Sequence, residues 1–342
     1  MADTLTVLRA GLATVTDLGR SGLSRSGIPV GGAADQYSAT VANVLVGNAP
    51  HDPLIEVTAT GFSFTASRDL LISVTGAPAK LTVAGRPCPT WGPVGIAADE
   101  PVTIDGIHQG LRVYLAVHGQ LNAPRILGSC APDSLLQVGT RLTPGVHIAV
   151  DSDYHHRDHP IFGIPLFRLD VPRFRFGDPW TVEVTDGPDL PDFPDADETL
   201  LSHDYTVSPD SDHIGLRLAG PMPRRTSTTE LLSRGVPVGT VEVPPSDALL
   251  VLQRGRPVTA GYPVIAVATR TAQAALGQAR PGDIIRFRLT TVDAAVASHR
   301  RWELAVHGLD QRVRTVFDRL GISHHTTRTD TTDTDTTERN AR

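Results

Sequence analysis

Short apolar stretches separated by glycine and proline set the pattern of this chain. Residues 70–74, 111–117, 215–218, 248–252, 264–268 and 284–289 each have the length of one strand. The 31 glycines and 27 prolines supply the turns between them. Many short strands at close spacing predict a barrel or sandwich rather than alternating strand and helix units. Two segments carry a helical period instead. Residues 36–46 place Tyr37, Val41, Val44 and Leu45 on one face, with Asp35 positioned to cap the start and Gly47 just past the end. Between Val292 and Leu320 apolar residues recur mostly every three or four positions, and Gly308 interrupts them. That pattern predicts one kinked helix or two short ones, closing over a barrel end or packing on a neighbour.

The stretch 152–194 breaks the run of strands with polar, proline-rich sequence, apart from a short strand candidate at 182–184. It divides the chain into a first β-barrel domain at 1–177 and a second at 178–291, followed by a helical segment at 292–322. From 323 to 342 the residues are mostly Thr, Asp and Arg, with too little apolar surface to offset the entropy of ordering, so a disordered tail is expected.

Of the 342 residues, 40% are hydrophobic and 20% charged, which allows a sizeable core. The net charge of -6 argues against nucleic acid as a ligand. The start lacks a basic region followed by an apolar one, and no run approaches the ~20 apolar residues of a membrane span. Cys88 and Cys130 show neither a metal-ligand spacing nor a disulfide framework. A cytoplasmic protein with reduced thiols, without membrane or nucleic-acid contact, is the expectation. Lys80 is the single lysine among many arginines. Arginine suits bidentate gripping of carboxylate or phosphate, and a biased genome gives the same skew.

Three clusters are candidates for chemistry. The first holds Asp17, Gly19, Arg20 and Gly22, then Gly27 to Asp35, then Ala42 to Asn48. Its glycines permit close backbone approach to a ligand, and the N–H groups opening the helix could hold an anion. No Walker-type lysine follows, so it is not a P-loop. Read alone, Asp35 is a cap. The second cluster is Tyr114 to Gly119 with Ser129: a buried strand leaving through a glycine turn, where His118 is either a base or a hydrogen-bonded core residue, and Ser129 lacks a nucleophile elbow. The third runs from Ser211 through Glu230–Pro245 to Pro263. Here Arg217 and Glu242 alternate with apolar neighbours. They face solvent, or they line a barrel mouth with Arg256, Thr259 and Tyr262 and receive a small amide-like ligand. His155, His156 and His159 beside Asp153 and Asp158 read as a polar loop rather than a metal site.

In this order the clusters resemble, over about residues 5–290, the family of urea amidolyases and biotin-dependent carboxyltransferases that includes the C subunit of 5-oxoprolinase. The similar motifs are Asp17 to Gly22, Gly27 to Asp35, Ala42 to Asn48, Tyr114 to Val117, Gly215 to Pro221 and Thr259 to Pro263. The resemblance implies a mainly β protein of two cyclophilin-like β-barrel domains with a few short helices. It further implies a component of a hydrolase that acts beside homologues of the B and A subunits and opens 5-oxoproline, a lactam, to glutamate. ATP with Mg is the co-substrate, because phosphorylating the lactam oxygen makes it a leaving group and exposes the carbon to water. On this resemblance Asp17, Arg20, Asp35 and Glu242 are the catalytic candidates, and Asn48, Arg217, Arg256, Thr259 and Tyr262 the substrate-binding ones. Arg20 and Asp35 from the front half are expected to converge with Arg217, Glu242 and Tyr262 from the rear on a cleft completed by another polypeptide.

The family offers two alternatives. One is a carboxyltransferase component that takes CO2 from carboxybiotin, with biotin as cofactor. The other is a non-catalytic regulatory module that binds a kinase-inhibitor-like homologue of the B subunit. Departures from the family pattern bear on the choice. Where it usually reads Asp-His-Gln-Thr-Thr-Gly-Gly-Tyr-Pro, this chain has Gly255 to Pro263, losing the acidic and histidine positions. Thr16 and Gly31 stand where glutamine and serine are common, Glu242 where glutamine is frequent and Gln120 where glycine is. These changes count against full oxoprolinase activity and favour a divergent or regulatory role.

Overall fold

The computed structural model describes residues 3–134, 136–155, 169–173, 176–177, 179–227 and 229–325. Two sheets form the front of the molecule. One orders its strands Gln120–Leu121, His147–Asp151, Thr4–Arg9, Phe62–Ala66, Val102–Asp105, Lys80–Val83 and Arg86–Cys88. The other orders Thr140–Arg141, Leu12–Thr16, Leu54–Thr58, Arg112–Val117, Leu70–Gly76 and Pro93–Ile96. Inward residues of both, among them Phe62, Phe64, Ile72, Val113 and Leu115, make one core. The front half thus achieves its enclosure with two facing sheets. The rear half does so with a closed barrel of seven strands, in which Trp180–Asp186 pairs in parallel with Ile284–Leu289 to complete the ring.

Helix α1 (Gln36–Leu45) covers the outer face of the six-stranded sheet, which explains the strands' composition. In Arg112–Val117 the odd-numbered Val113, Leu115 and Val117 enter the inter-sheet core, while Tyr114 and Ala116 meet α1. A strand buried on both faces reads as a continuous apolar run. The two polar residues that face α1 from the neighbouring strand are satisfied by helix carbonyls: Ser73 donates to Ala42 O at 2.6 Å and Thr75 to Ser38 O at 2.7 Å. Two shorter helices, α2 (Ala196–Ser202) and α3 (Ala272–Gln278), pack into the barrel core through Leu200, Ala275 and Leu276.

The last helix, α4 (Val292–Leu320), is continuous through Gly308, which corrects the alternative of two short helices. Thr291 caps its start and Gly321, left-handed, ends it. Leu309, Val313 and Phe317 pack on α1, at the four-residue spacing of one helix face. The first half of α4 buries no residue fully. No helix among the described residues is long and apolar enough to cross a membrane. Of the tail expected to begin at 323, residues 323–325 are placed against the front half, where His325 N donates to Gly47 O at 3.2 Å; residues 326–342 lie outside the described residues, as do His156, Asp158 and His159.

The seam between the halves is built from fully buried polar groups. Asp35, the N-cap of α1, accepts from Ser38 N at 3.0 Å, from Ser38 Oγ at 2.5 Å and from Gln278 Nε2 at 2.8 Å. No cation pairs with it among the described residues, and burial raises its carboxyl above the ordinary range while these hydrogen bonds oppose the shift. Gln278 uses its other capacity on the start of the central strand Arg112–Val117: Oε1 accepts from Leu111 N at 3.0 Å and Arg112 N at 2.9 Å, and Nε2 also donates to Arg112 O at 3.0 Å. Gly277 permits this approach, since a Cβ there would sit 2.6 Å from Ala34 O. Removing the amide strands two backbone donors and weakens the capping of Asp35. Gln278→Ala is therefore expected to destabilise the protein on the order of 3 kcal/mol, measured by urea unfolding, with Gln278→Glu no milder because it places a second carboxyl beside Asp35.

Candidate functional site

A cleft of about 310 Å³ opens at this seam, within the range of small-molecule sites. From the front half come Thr16, Glu56, Arg112, Arg141 and the glycine pair Gly31 and Gly32; from the rear come Asp212, His213, Gln253, Arg254 and Gly255. Residues of the first and third sequence clusters thus do meet, through backbone and through side chains that sequence reading did not select. A second cavity of about 230 Å³, lined by Tyr37, Arg270, His299 and Trp302, lies among α1, α3 and α4 and holds none of the candidate residues.

Arg254 fixes the geometry of the cleft. It is buried, and Nε donates to Gly31 O at 2.7 Å and Nη2 to Leu18 O at 2.9 Å, while its own carbonyl accepts from Gly31 N at 3.1 Å. Burial, reinforced by the Arg270 and Arg256 charges, pulls this guanidinium down to about 9, so it stays charged at neutral pH. Across the cleft Arg112 pairs with Glu56 at 3.4 Å, and Glu56 also accepts from Ala34 N at 3.1 Å. The front loop is thus held to the barrel through Arg254, the exposed Arg141 stands at the rim, and the lining carries both signs of charge.

The Gly255 departure has a structural counterpart. A Cβ at this position would fall 2.4 Å from His213 Cδ2 and 2.8 Å from His213 O. The turn before the strand Gly215–Ala219 occupies the space that a side chain at 255 would need, and it brings the exposed His213 to the cleft, where Nε2 lies 3.1 Å from Ser134 Oγ. Imidazole is therefore present in the cleft, on a different strand end from the one the family pattern points to.

The residues selected from sequence take other places, and the expectation that Arg20 and Asp35 meet Arg217, Glu242 and Tyr262 in one cleft is corrected. Asp17 lies behind the glycine loop and accepts from Gly19 N at 2.8 Å, Ser129 Oγ at 2.5 Å and Cys130 N at 2.9 Å. Arg20, also buried, donates to Ile126 O and Ala131 O. Its Nη1 has no hydrogen-bond partner among the described residues and would lie 3.3 Å from a Cβ on Gly31, so this guanidinium backs the cleft wall without reaching through it. Asn48 is used internally, donating to Val117 O at 2.7 Å and accepting from Gly119 N at 2.9 Å. With Asp35 capping a buried α1, no open anion site remains at that helix start.

In the barrel, Leu216 lines the cleft, so Arg217, its neighbour on the strand, points outward and is exposed. Glu242 shares that outer face, because Leu250 is the cross-strand partner of both. A flap whose strands Arg234–Gly235 and Thr259–Ala260 pair covers it, with Val236 and Ala260 packing on Leu252 and Val264. Arg256 pins the flap by donating to Val236 O at 3.0 Å, while Thr259 and Tyr262 stay exposed upon it. Glu242 is 1% exposed and its Oε1 has no partner among the described residues. Burial lifts its carboxyl to about 7 against a weaker opposing pull from Arg234.

The comparisons with known proteins accord with this architecture. The sequence profile described as carboxyltransferase domain, subdomain A and B, matches residues 26–289, most of the chain, and the protein belongs to that family. Its relatives include the C subunit of 5-oxoprolinase from Haemophilus influenzae, 29% identical over 90% of this chain and 96% of the relative. The same component from Escherichia coli is 28% identical over 86% of this chain and 94% of the relative. Urea amidolyase of Saccharomyces cerevisiae is 28% identical over 85% of this chain, which spans only 17% of that longer protein. Among solved structures, TTHA0988 superposes with a TM-score of 0.74 at 29% identity over 84% of this chain, which corresponds to 55% of that one. The urea amidolyase of K. lactis, 22% identical, shares the fold with a TM-score of 0.78 over 90% of this chain and 20% of its own.

Glu242 gives the site region a testable pH signature. Its folded value, near 7, lies above its ordinary 4.5, so folding favours the protonated form. That contribution is complete below about pH 4.5 and is lost as the pH rises through about 7. Glu242→Gln is expected to remove the dependence, making the variant more stable than wild type above pH 7 by about 1–3 kcal/mol, with little difference at pH 4.5, as read from unfolding midpoints across that range.

Proposed function

We propose that this chain is the C-type component of an ATP-dependent complex that opens 5-oxoproline to glutamate beside homologues of the A and B subunits. The observation that carries this reading is a nearly end-to-end match, in both directions, with the C subunit of that enzyme, whereas the urea amidolyases contain this unit as a small part of a longer chain. The chemistry of the cleft supports it. 5-Oxoproline is a small planar lactam bearing a carboxylate. Arg254 and the rim residue Arg141 provide guanidinium groups for that carboxylate. Glu56 and Gln253 offer an acceptor and an amide for the ring N–H and carbonyl.

An unactivated lactam carbonyl is a poor electrophile, and ATP with Mg supplies the activation in the complex by placing a phosphoryl group on the lactam oxygen. The part assigned to this chain is to hold the substrate. The glycine turns carry no Walker-type lysine, so phosphate binding is assigned to the assembled complex. His213, exposed at the cleft, offers an imidazole there as a proton relay. A biotin-dependent carboxyltransferase component is the second reading, favoured by the family's description and the fungal relatives; gripping a planar amide serves that reaction equally.

The test is reconstitution of this chain with the A and B homologues encoded by the same genome, following ATP-dependent glutamate formation. Omitting this chain is expected to abolish turnover, and an unchanged rate would overturn the reading. Arg141→Ala, at the exposed rim, is expected to raise KM for 5-oxoproline roughly 10-fold or more with a smaller effect on kcat. Avidin-sensitive carboxylation of a urea-type substrate, with no glutamate formed, would transfer the assignment to the second reading.

A further inference from the structure

His118, Asp153 and His325 are far apart in sequence and lie outside the cleft. His118 follows the strand Arg112–Val117, Asp153 follows the strand His147–Asp151, and His325 follows α4. Their ligand-capable atoms all fall within 4.8 Å of one another. His118 Nε2 is 3.1 Å from Asp153 Oδ1, and His325 Nε2 is 3.7 Å from the same oxygen. We propose that these three side chains bind one divalent transition-metal ion of the zinc class and thereby clip the segment after α4 to the front half.

The hydrogen bonding of His118 points to a cation. Nδ1 lies 2.7 Å from Val46 O, a pure acceptor, so Nδ1 carries the proton and donates. In the neutral ring Nε2 is then a bare lone pair, and it faces a carboxylate oxygen, a second acceptor, at hydrogen-bond distance. Two acceptors facing one another conflict, and the ring is 0% exposed. A metal ion between the two acceptors resolves the conflict. A ligating histidine that donates its other N–H to a backbone carbonyl is the usual outer-shell arrangement of such sites.

Geometry and access agree. Tetrahedral zinc with bonds of about 2.0–2.2 Å sets its ligand atoms about 3.3–3.5 Å apart, close to the two separations from Asp153. The His118 ring is held edge-on by Tyr154 and Phe317. Ser323 Oγ donates to Asp153 Oδ1 at 2.7 Å and lies 3.5 Å from each Nε2, orienting the carboxylate. Asp153 is 61% exposed and His325 32%, so an ion can enter from solvent. His325 lies beyond the residues matched by the family profile, which end at 289.

The experiment uses the full, untagged protein after chelator treatment. Equilibrium dialysis against Zn2+, with bound metal counted by mass spectrometry, is expected to give one equivalent per chain, and Co2+ in its place is expected to show the visible bands of a tetrahedral site. Zn2+ is expected to raise the unfolding midpoint, and chelator to reverse the rise. His325→Ala and Asp153→Asn should each weaken binding by at least about 10-fold and abolish the Zn2+-dependent rise. His325 sits near the end of the described chain, and its variant's midpoint without metal should equal that of the metal-free wild type, which separates lost binding from lost folding. Absence of stoichiometric binding by wild type, or undiminished binding by both variants, would overturn the proposal.

Discussion

A buried carboxylate without a counter-ion among the described residues holds this molecule together. Asp35 caps α1 from a position with no access to water, so hydrogen-bond donors must satisfy it. One of those donors, Gln278, comes from the barrel. The same amide fixes the start of a central strand of the front sheet at Leu111 and Arg112. Capping of the helix that covers the sheet, the start of its central strand and barrel position are therefore a single requirement. Ala34 and Leu276, each next to a seam residue, line the cleft, so its shape follows from the seam.

Arg254 completes that arrangement from the other side. Its three hydrogen bonds to the loop at Leu18 and Gly31 set the distance between glycine turn and barrel mouth. A charged group used as a staple at the cleft also leaves positive potential there, which suits a small carboxylate. Architecture and the proposed ligand preference thus have a common source in one buried guanidinium. Glu242, by contrast, has the tuned carboxyl expected of an acid–base group but lies beneath the flap, away from the cleft. A perturbed carboxyl is an active-site signal only where a substrate can reach it.

Much of the fold was legible in the sequence. The apolar runs at 70–74 and 111–117 are continuous because those strands are buried on both faces, and the Asp35 cap with its apolar helical face defined α1. The helix α3 was missed, although its alanine-rich sequence is helix-favouring, because seven residues are too few for a clear period. Gln278 was missed with it. The cleft was less legible. Alternation correctly set Arg217 and Glu242 opposite their apolar neighbours, but it does not tell which face lines a cavity, which is solvent and which a flap covers. Arg254 and Gly31 are 223 positions apart, and no local pattern joins them. The loss of an acidic residue at Gly255 was visible; the arrival of His213 in its space was not, because that is a fact of backbone approach.

The central claim is that the substrate of the assembled complex binds in the cleft at the seam. A crystal structure of the reconstituted complex with 5-oxoproline tests it directly. Ligand density is expected between Gly31–Gly32 and Gln253–Gly255, with the carboxylate facing Arg254 or Arg141. Density on the outer barrel face beside Arg217, or wholly within a partner protein with this cleft unoccupied, would contradict it.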